Sequence, residues 1–560
     1  MDGDPVFCAL LEPRLEGHGG FRIELDGQVE SCQRYLDNTA VLVTVLRDGD
    51  GNALEITDVA PRFKQYGRSY HPFALVRRLR PLHGSPRIRV RLRPLSGYGA
   101  RVPARTHGSN HVRIVGDTVT LRLTTTVPLP YVQDERSFLL DGEHWLVLGP
   151  DESLDQPIER YGRDCLDQTC AFWREWVRYL ALPAEWQDAV IRAAITLKLC
   201  QDEATGAILA APTTSIPEAA GSIRTWDYRY CWLRDAAFVV RALNRLGATR
   251  SMEKYLRYVF NIASGDGLLQ PMYGIGGEHQ LEEREAPALA GYRGMGPVRV
   301  GNAAYTQPQH DVYGSVALAS AQLFFDRRLD RPGGVAEYRR LVPLGEAAAR
   351  LYDQPDAGIW EFRGRAHVHT YSAAMCWVAC DRLARIATQL GLAGDARRWR
   401  DTADGMRERI LAAAWNDQAG HFADAFGGER LDASLLLLAD IGFLRAEDPR
   451  FVATVEAIGK HLLRDGYLFR YVDADDFGEP ETAFTVCSFW YIEALAAIGR
   501  REQARTLFEA LLARRTALGL LSEDLAPASG EQWGNFPQTY SMVGLIHAAI
   551  RLSRSWEDVL

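Results

Sequence analysis

The sequence predicts two halves of different class, an antiparallel β-sandwich followed by an all-helical half, either a closed double ring of helices or a solenoid. Three observations predict it. Apolar residues recur at every second position up to about Gly149 and at every third or fourth position after Asp151. No strand-length, β-rich segment alternates with the helical runs, which argues against a parallel α/β fold. At 560 residues the chain is too long for one ordinary core.

The sandwich is placed at residues 1–150. Ile88-Arg89-Val90-Arg91-Leu92-Arg93 alternates aliphatic and charged, giving a sheet one apolar face and one face of arginines. Asp26-Gly27, Asp48-Gly49, Gly116-Asp117 and Asp141-Gly142 supply turns between segments such as VRIV and TVTLRL, which divide this half into about ten short strands. Residues 151–182 are expected to link the halves and to contain one amphipathic helix, CAFWREWVRYLAL. From 183 to 560 about twelve helical runs follow, beginning near Pro183, Trp232, Arg250, Asp311, Val335, Tyr371, Ala393, Leu431, Asp448, Glu481, Arg501 and Gln538. They pair as six hairpins. With no fixed-length repeat, a ring of six inner and six outer helices fits at least as well as a solenoid, and it places functional groups on loops at one end.

Net charge of −8 and a pI of about 6.0 exclude a non-specific nucleic-acid binder, which needs a basic field; a neutral small substrate fits better. The opening MDGDPVFCALLEPRLEG has no basic run leading into an apolar one, and no later apolar run reaches spanning length. A cytoplasmic chain with no membrane partner is therefore expected, and a homo-oligomer is left open. Nine scattered cysteines are read as reduced, buried thiols. Cys376 and Cys380 lie one helical turn apart near His367 and His369, but no second pair stands at ligand spacing, so neither a metal nor a cofactor is expected.

Four stretches resist a packing explanation. TWDYRYCWLRD interleaves Trp226, Tyr228, Tyr230 and Trp232 with Asp227, Arg229, Arg234 and Asp235; flat apolar faces among directional hydrogen-bonding groups suit a sugar, and a buried ion-pair network anchoring a helix start is the competing account. DAGIWEFRG sets Glu361 beside Trp360, and a carboxyl partly desolvated by an indole suits a general acid; a surface carboxylate paired with Arg363 is the alternative. GLLSEDLAPASGEQWGNFPQTYS carries Glu523 and Glu531 in a loop before the last helix. The segment from Leu268 to Val316 is too long and glycine-rich for a simple connection and is expected to fold over the mouth of the ring. Its GIGG has no strand before it and no helix after it, so it is not a nucleotide loop.

WDYRYCWLRDA, GIWEFRG, VRVGNAAYTQPQHDVYG and GLLSED with GNFPQTYS together resemble glycoside hydrolase family 15, the glucoamylase and bacterial trehalase-like family, over nearly the whole chain. The resemblance implies an N-terminal antiparallel β-sandwich followed by an (α/α)6 barrel, the closed ring of the two helical readings. It further implies an inverting hydrolase releasing glucose from a non-reducing end, with Arg234 and Asp235 holding the innermost sugar, Glu361 as general acid and Glu523, rather than Glu531, as general base. Arg470 in YLFRYVDAD matches a glucose-contacting arginine of the family. Trp226, Tyr273 and Trp360 are offered as lining residues on aromatic character and position. The chain opens where related two-domain proteins have the middle of an RFDSP-like motif, so an early sandwich strand is expected to be missing and a sheet edge left unpaired.

The primary expectation is a glucoamylase-like exo-α-glucosidase acting on small oligosaccharides, with a trehalase as the close rival. An α-glucoside phosphorylase or an inactive glycan-binding protein are readings of other classes, and the retention of both glutamates argues against each.

Overall fold

The computed structural model describes residues 3–12, 19–263 and 267–560, so Met1 and Asp2 of the opening MDGDPVF lie outside the described residues. The period-two half forms β1 (Gly20–Leu25), β2 (Gln28–Tyr35), β3 (Leu42–Asp48), β4 (Ala53–Val59), β5 (Phe63–Gln65), β6 (Arg68–Tyr70), β7 (Leu75–His83), β8 (Arg87–Arg93), β9 (Ala104–His107), β10 (His111–Val115), β11 (Thr120–Thr125), β12 (Phe138–Leu139) and β13 (His144–Pro150). One short helix, α1 (Leu129–Gln133), interrupts them before β12. An eight-stranded sheet runs β2-β3-β4-β7-β13-β11-β10-β9 and a three-stranded sheet runs β1-β8-β12. Neighbouring strands are antiparallel.

The alternation in β8 does what the pattern requires. Ile88, Val90 and Leu92 are buried against Ile23, Leu54, Leu79, Leu123 and Leu146 between the sheets, while Arg91 and Arg93 point outward to Glu24 at 2.8 Å and Glu135 at 2.7 Å. The other face of the large sheet is covered by α2 (Ile158–Arg178), whose Cys165, Leu166 and Cys170 pack on Val59, Val76, Trp145 and Val147. The stretch expected as a link thus also supplies a third layer.

The rest of the chain forms α3 (Gln187–Leu199), α4 (Leu233–Arg245), α5 (Thr249–Ile262), α6 (Asp311–Phe325), α7 (Val335–Leu351), α8 (Thr370–Gln389), α9 (Ala393–Ala414), a 3-10 helix (Ala433–Leu438), α10 (Pro449–Leu462), α11 (Thr485–Ala497), α12 (Arg501–Leu512), α13 (Thr539–Leu552) and the terminal turn α14 (Trp556–Val559). The run expected near Leu431 is the 3-10 helix, and the run expected from Glu481 starts at Thr485. Packing follows the chain. In sequence, α4, α6, α8, the 3-10 helix, α11 and α13 each pack on the next, and α13 returns to α4; α3, α5, α7, α9, α10 and α12 lie against them. The first set is buried nearly all round, as in α11, whereas α9 and α12 keep a polar face. The approach of α6 to α8 depends on Gly314, where a Cβ would stand 2.1 Å from the Met375 carbonyl oxygen.

The long segment before α6 ties the halves together. Its Ala286, Leu289, Val298 and Val300 bury against Cys8, Leu11 and Leu95 of the first half, Ala290 N–H donates to Glu12, and Gly291 N–H to the Leu11 carbonyl. The sandwich therefore braces the loop from which one wall of the main cavity is built. No helix among the described residues is long and apolar enough to cross a membrane.

Candidate active site

Residues at or just before the N-termini of α4, α11 and α13, together with Ile359–Arg363 from the loop before α8, border one cavity, with about 870 Å³ of empty space including its open mouth. The stretch Thr225–Trp232 runs extended into α4, so alternate side chains part company. Trp226, Tyr228 and Trp232 line the cavity. Asp227 and Arg229 turn behind them into a buried bidentate pair, 2.8 Å at both contacts, with Asp227 also accepting from Gly301 N–H. The buried ion-pair account holds for Asp227 and Arg229, while Trp226, Tyr228 and Trp232 stand where a ligand in the cavity would meet them. Tyr230 falls to the packing side, among Ala210, Met272 and Leu281.

Arg234 and Asp235 occupy the first turn of α4 and both face the cavity. The Arg234 guanidinium donates to Gln309 at 2.8 Å, to both oxygens of Asp311 at 3.3 Å and to Glu361 at 3.4 Å. Burial raises the Asp235 carboxyl to about 7 against the pull of Arg234, with the Glu361 charge adding to the rise.

Glu361 sits in a turn between two segments and has φ of 62°, a left-handed conformation uncommon outside glycine and concentrated at functional sites. Its Oε1 accepts from Trp232 Nε1 at 2.6 Å and from Gln309 Nε2 at 3.3 Å. Arg363, the alternative partner, is taken up by Glu283 and by Asp476, which accepts from its backbone N–H. Trp360 lines the same cavity, its indole N–H held by Asp432 at 2.6 Å.

Glu523 is 1% exposed. Its Oε1 accepts from the Tyr228 hydroxyl at 2.6 Å and its Oε2 from Asn535 N–H at 3.1 Å. Gly534 makes this possible, since at φ of 76° a Cβ there would lie 2.6 Å from the Glu523 side chain. Burial and then the neighbouring Glu218 charge hold the Glu523 carboxyl well above the usual carboxylate range. Glu531 lies elsewhere, on the surface, 42% exposed and paired with Arg293.

The two glutamates are bound to two members of one ring pair. Tyr228 and Trp232 meet edge to face with centroids 5.3 Å apart, Tyr228 holding Glu523 and Trp232 holding Glu361. Arg470 reaches the cavity from the loop after α10 and donates to Glu218 at 2.8 Å. Its Nε and the hydroxyl of cavity-lining Tyr540 are buried without a hydrogen-bond partner, donors still to be satisfied.

Tyr273 is not among the lining residues. It is 1% exposed, pairs by backbone with Cys231, and stands edge-on to His279 at 5.1 Å, supporting from behind the strand that carries Trp232. Aromatic character could not separate a wall from its backing. Cys376 and Cys380 are buried in α8 with their thiols directed at the His310 and Gly345 carbonyls, which is core packing.

Sequence reasoning missed Glu218, which lines the cavity between the Trp226 indole, 2.9 Å away, and Arg470. It also missed the outer wall, where Arg224 makes a bidentate pair with Asp475 at 2.7 and 2.6 Å, and Phe477 meets Trp226 edge to face at 5.2 Å. Arg224 and Asp475 are 251 positions apart, and nothing local announces such a pair.

Comparison with known proteins places the chain in a family. A trehalase of Mycobacterium tuberculosis is 35% identical, the match covering 100% of this chain and 86% of that protein. A trehalase of Thermoplasma acidophilum is 31% identical over 98% of this chain and 95% of its own length. Among solved structures, a bacterial glucoamylase complexed with acarbose superposes with a TM-score of 0.69 at 15% identity, over 95% of this chain and 88% of that one, a likeness of fold. The sequence profile of glycosyl hydrolases family 15 matches residues 185–550. By that match and by the full-length relatives, the chain belongs to glycosyl hydrolases family 15.

Proposed function

We propose that this protein is an inverting α,α-trehalase, cytoplasmic, whose helical half is an (α/α)6 barrel with its catalytic mouth at the N-terminal ends of the inner helices. The observation that carries the chemistry is the pair of carboxyls held on either side of the Tyr228–Trp232 ring pair in one cavity. Glu361 gives its proton to the glycosidic oxygen as the bond to the anomeric carbon breaks. Glu523, as carboxylate, takes a proton from a water that attacks that carbon from the opposite face, and inversion needs the two carboxyls far enough apart to admit that water. Arg234, Asp235 and Arg470 hold the sugar under attack, with Trp360 and Trp226 as its apolar walls.

Trehalase is preferred over the glucoamylase reading because relatives named trehalase align along essentially the whole chain, while the glucoamylase likeness is one of fold at 15% identity. The outer wall supports the same choice. The Arg224–Asp475 pair and the Arg363–Glu283 pair close the far side with fixed side chains, which suits one further sugar better than an extending glucan.

Proton NMR of the first minutes of reaction tests this. Inverting hydrolysis of trehalose yields one β-glucose from the attacked sugar and one α-glucose from the leaving sugar, in equal amounts before mutarotation. Faster release from maltotriose would return the glucoamylase reading, and glucose 1-phosphate formed only with added phosphate would make the protein a phosphorylase.

A further inference from the structure

The large sheet ends at β2, whose last residue, Tyr35, lies under Arg192 of α3 at 3.8 Å, while Gln28–Arg34 stay exposed. Seven of the eight β2 residues are exposed, with side chains on both faces in solvent. Among the described residues no strand pairs with its outer edge. Soluble proteins blunt such an edge with proline, lysine or a bulge. QVESCQRY contains neither residue, and its one register irregularity lies at the start, between Gln28 and Glu30, leaving Glu30–Tyr35 in regular register with β3. Val29 is 72% exposed beside it.

This edge is complementary to itself. In an antiparallel ladder, successive residues alternate in which edge their backbone groups address, so a two-fold axis joining two copies must pass through a residue. Centred on Cys32, the pairing sets Glu30 of each copy opposite Arg34 of the other and Ser31 opposite Gln33. Centred on Ser31, it sets Glu30 against Cys32; centred on Gln33, it sets Arg34 against Cys32. Of these three registers, only that on Cys32 opposes opposite charges, and it does so twice. Arg47 of β3 already lies 3.5 Å from Glu30 without burying it, so the carboxylate remains available to a second cation.

We propose that two copies of this chain associate through β2, antiparallel and centred on Cys32, joining their eight-stranded sheets into one. A two-fold contact of this kind is self-closing and produces a dimer, not a fibre. β2 contributes no residue to the catalytic cavity, so the proposal stands apart from the assignment of substrate.

Light scattering on the eluting full chain at micromolar concentration is expected to give twice the 62.6 kDa chain mass. A short bis-maleimide is expected to link the copies through Cys32, the exposed cysteine, the others being buried. Arg34→Glu and Glu30→Arg should each weaken association by about tenfold or more and abolish the crosslink, because each places two like-charge pairs across the ladder. The double exchange E30R/R34E should restore both, and all three variants should hydrolyse substrate as the parent does. A parent chain that stays monomeric at tens of micromolar overturns the proposal. So does a dimer indifferent to the single reversals, a dimer that the reagent does not link, a charge exchange that fails to rescue, or an edge found occupied by another protein while the chain itself remains single.

Discussion

Both ends of the inner helices bury charge, yet they are built differently. At the N-terminal end, Arg234, Asp235, Glu361, Arg470 and Glu523 open onto a cavity walled by Trp226, Trp232 and Trp360. At the C-terminal end, Asp440, Glu493, His547 and Arg551 close around a smaller cavity, with Arg241 paired to Asp440 behind it. Trp490 borders both and divides them. At the C-terminal end the cations sit where helix dipoles favour them, and Arg241 donates to Asp440 at 2.9 Å. Arg241 and the nearby cations hold Asp440 ionised against the cost of burial. Raised carboxyls occur at both ends: burial lifts Asp235 to about 7 and Glu523 well above the usual carboxylate range at the N-terminal end, and lifts Glu493 to about 7 beside the ionised Asp440 at the other. Buried charge alone therefore does not mark a site. The mark is buried charge together with aromatic faces and loops that leave a sugar-sized opening.

Substitutions at the two ends should separate accordingly. Glu361→Gln and Glu523→Gln are each expected to lower turnover by about 10²–10⁴-fold without changing the thermal melt, as steady-state kinetics and calorimetry can check. At the other end Arg241→Met strands the Asp440 carboxylate and should cost about 3–5 kcal/mol of stability in denaturant unfolding, with KM unchanged. Equal loss of activity in both places would erase the contrast.

A smaller effect sharpens it. Glu218 stays beside Glu523, and its charge adds to the burial that raises the Glu523 carboxyl. Since the base acts only when deprotonated, activity should fall as pH drops through the Glu523 pKa. Glu218→Gln removes one like charge, lowers that pKa, and should move the acid limb of the pH–rate profile about one unit lower. An unmoved limb would assign that limb to another group. Smallest of all, Glu531→Gln breaks an exposed pair with Arg293 and should change turnover less than about twofold, as such pairs are worth about 0–1 kcal/mol. If it abolished activity, the base would have to be reassigned.

Much of this arrangement is legible in one dimension. The period-two pattern of β8 and the starts of the helical runs depend on neighbours a few residues away, whereas the indole that meets Glu361 is that of Trp232, 129 positions earlier, and not the adjacent Trp360. What failed to show had long-range causes. Tyr273 has the composition of a lining residue, but a backbone pairing with Cys231 turns it behind the wall. Glu218 lies in an unremarkable TSIPEAAG, and it matters because Arg470, 252 positions later, and Trp226 converge on it. The stretch after Gly149 is amphipathic, and only the sheet beneath it shows that its apolar side has a partner.

The sequence by itself determined the two periodicities and most of the helix starts, and it singled out Glu361, Glu523, Arg234 and Asp235 as candidates, because each is written in local pattern or in a short motif. Only the tertiary structure decided which of those groups meet. It set Glu523 and Glu361 on the two rings of one edge-to-face pair and left Glu531 outside. It also turned Trp226, Tyr228 and Trp232 toward the cavity and Asp227 and Arg229 behind it, with Tyr230 on the packing side. The physical reason is that a cavity is closed by loops from distant parts of the ring, and the burial that shifts a proton or leaves a donor unsatisfied is a property of that closure.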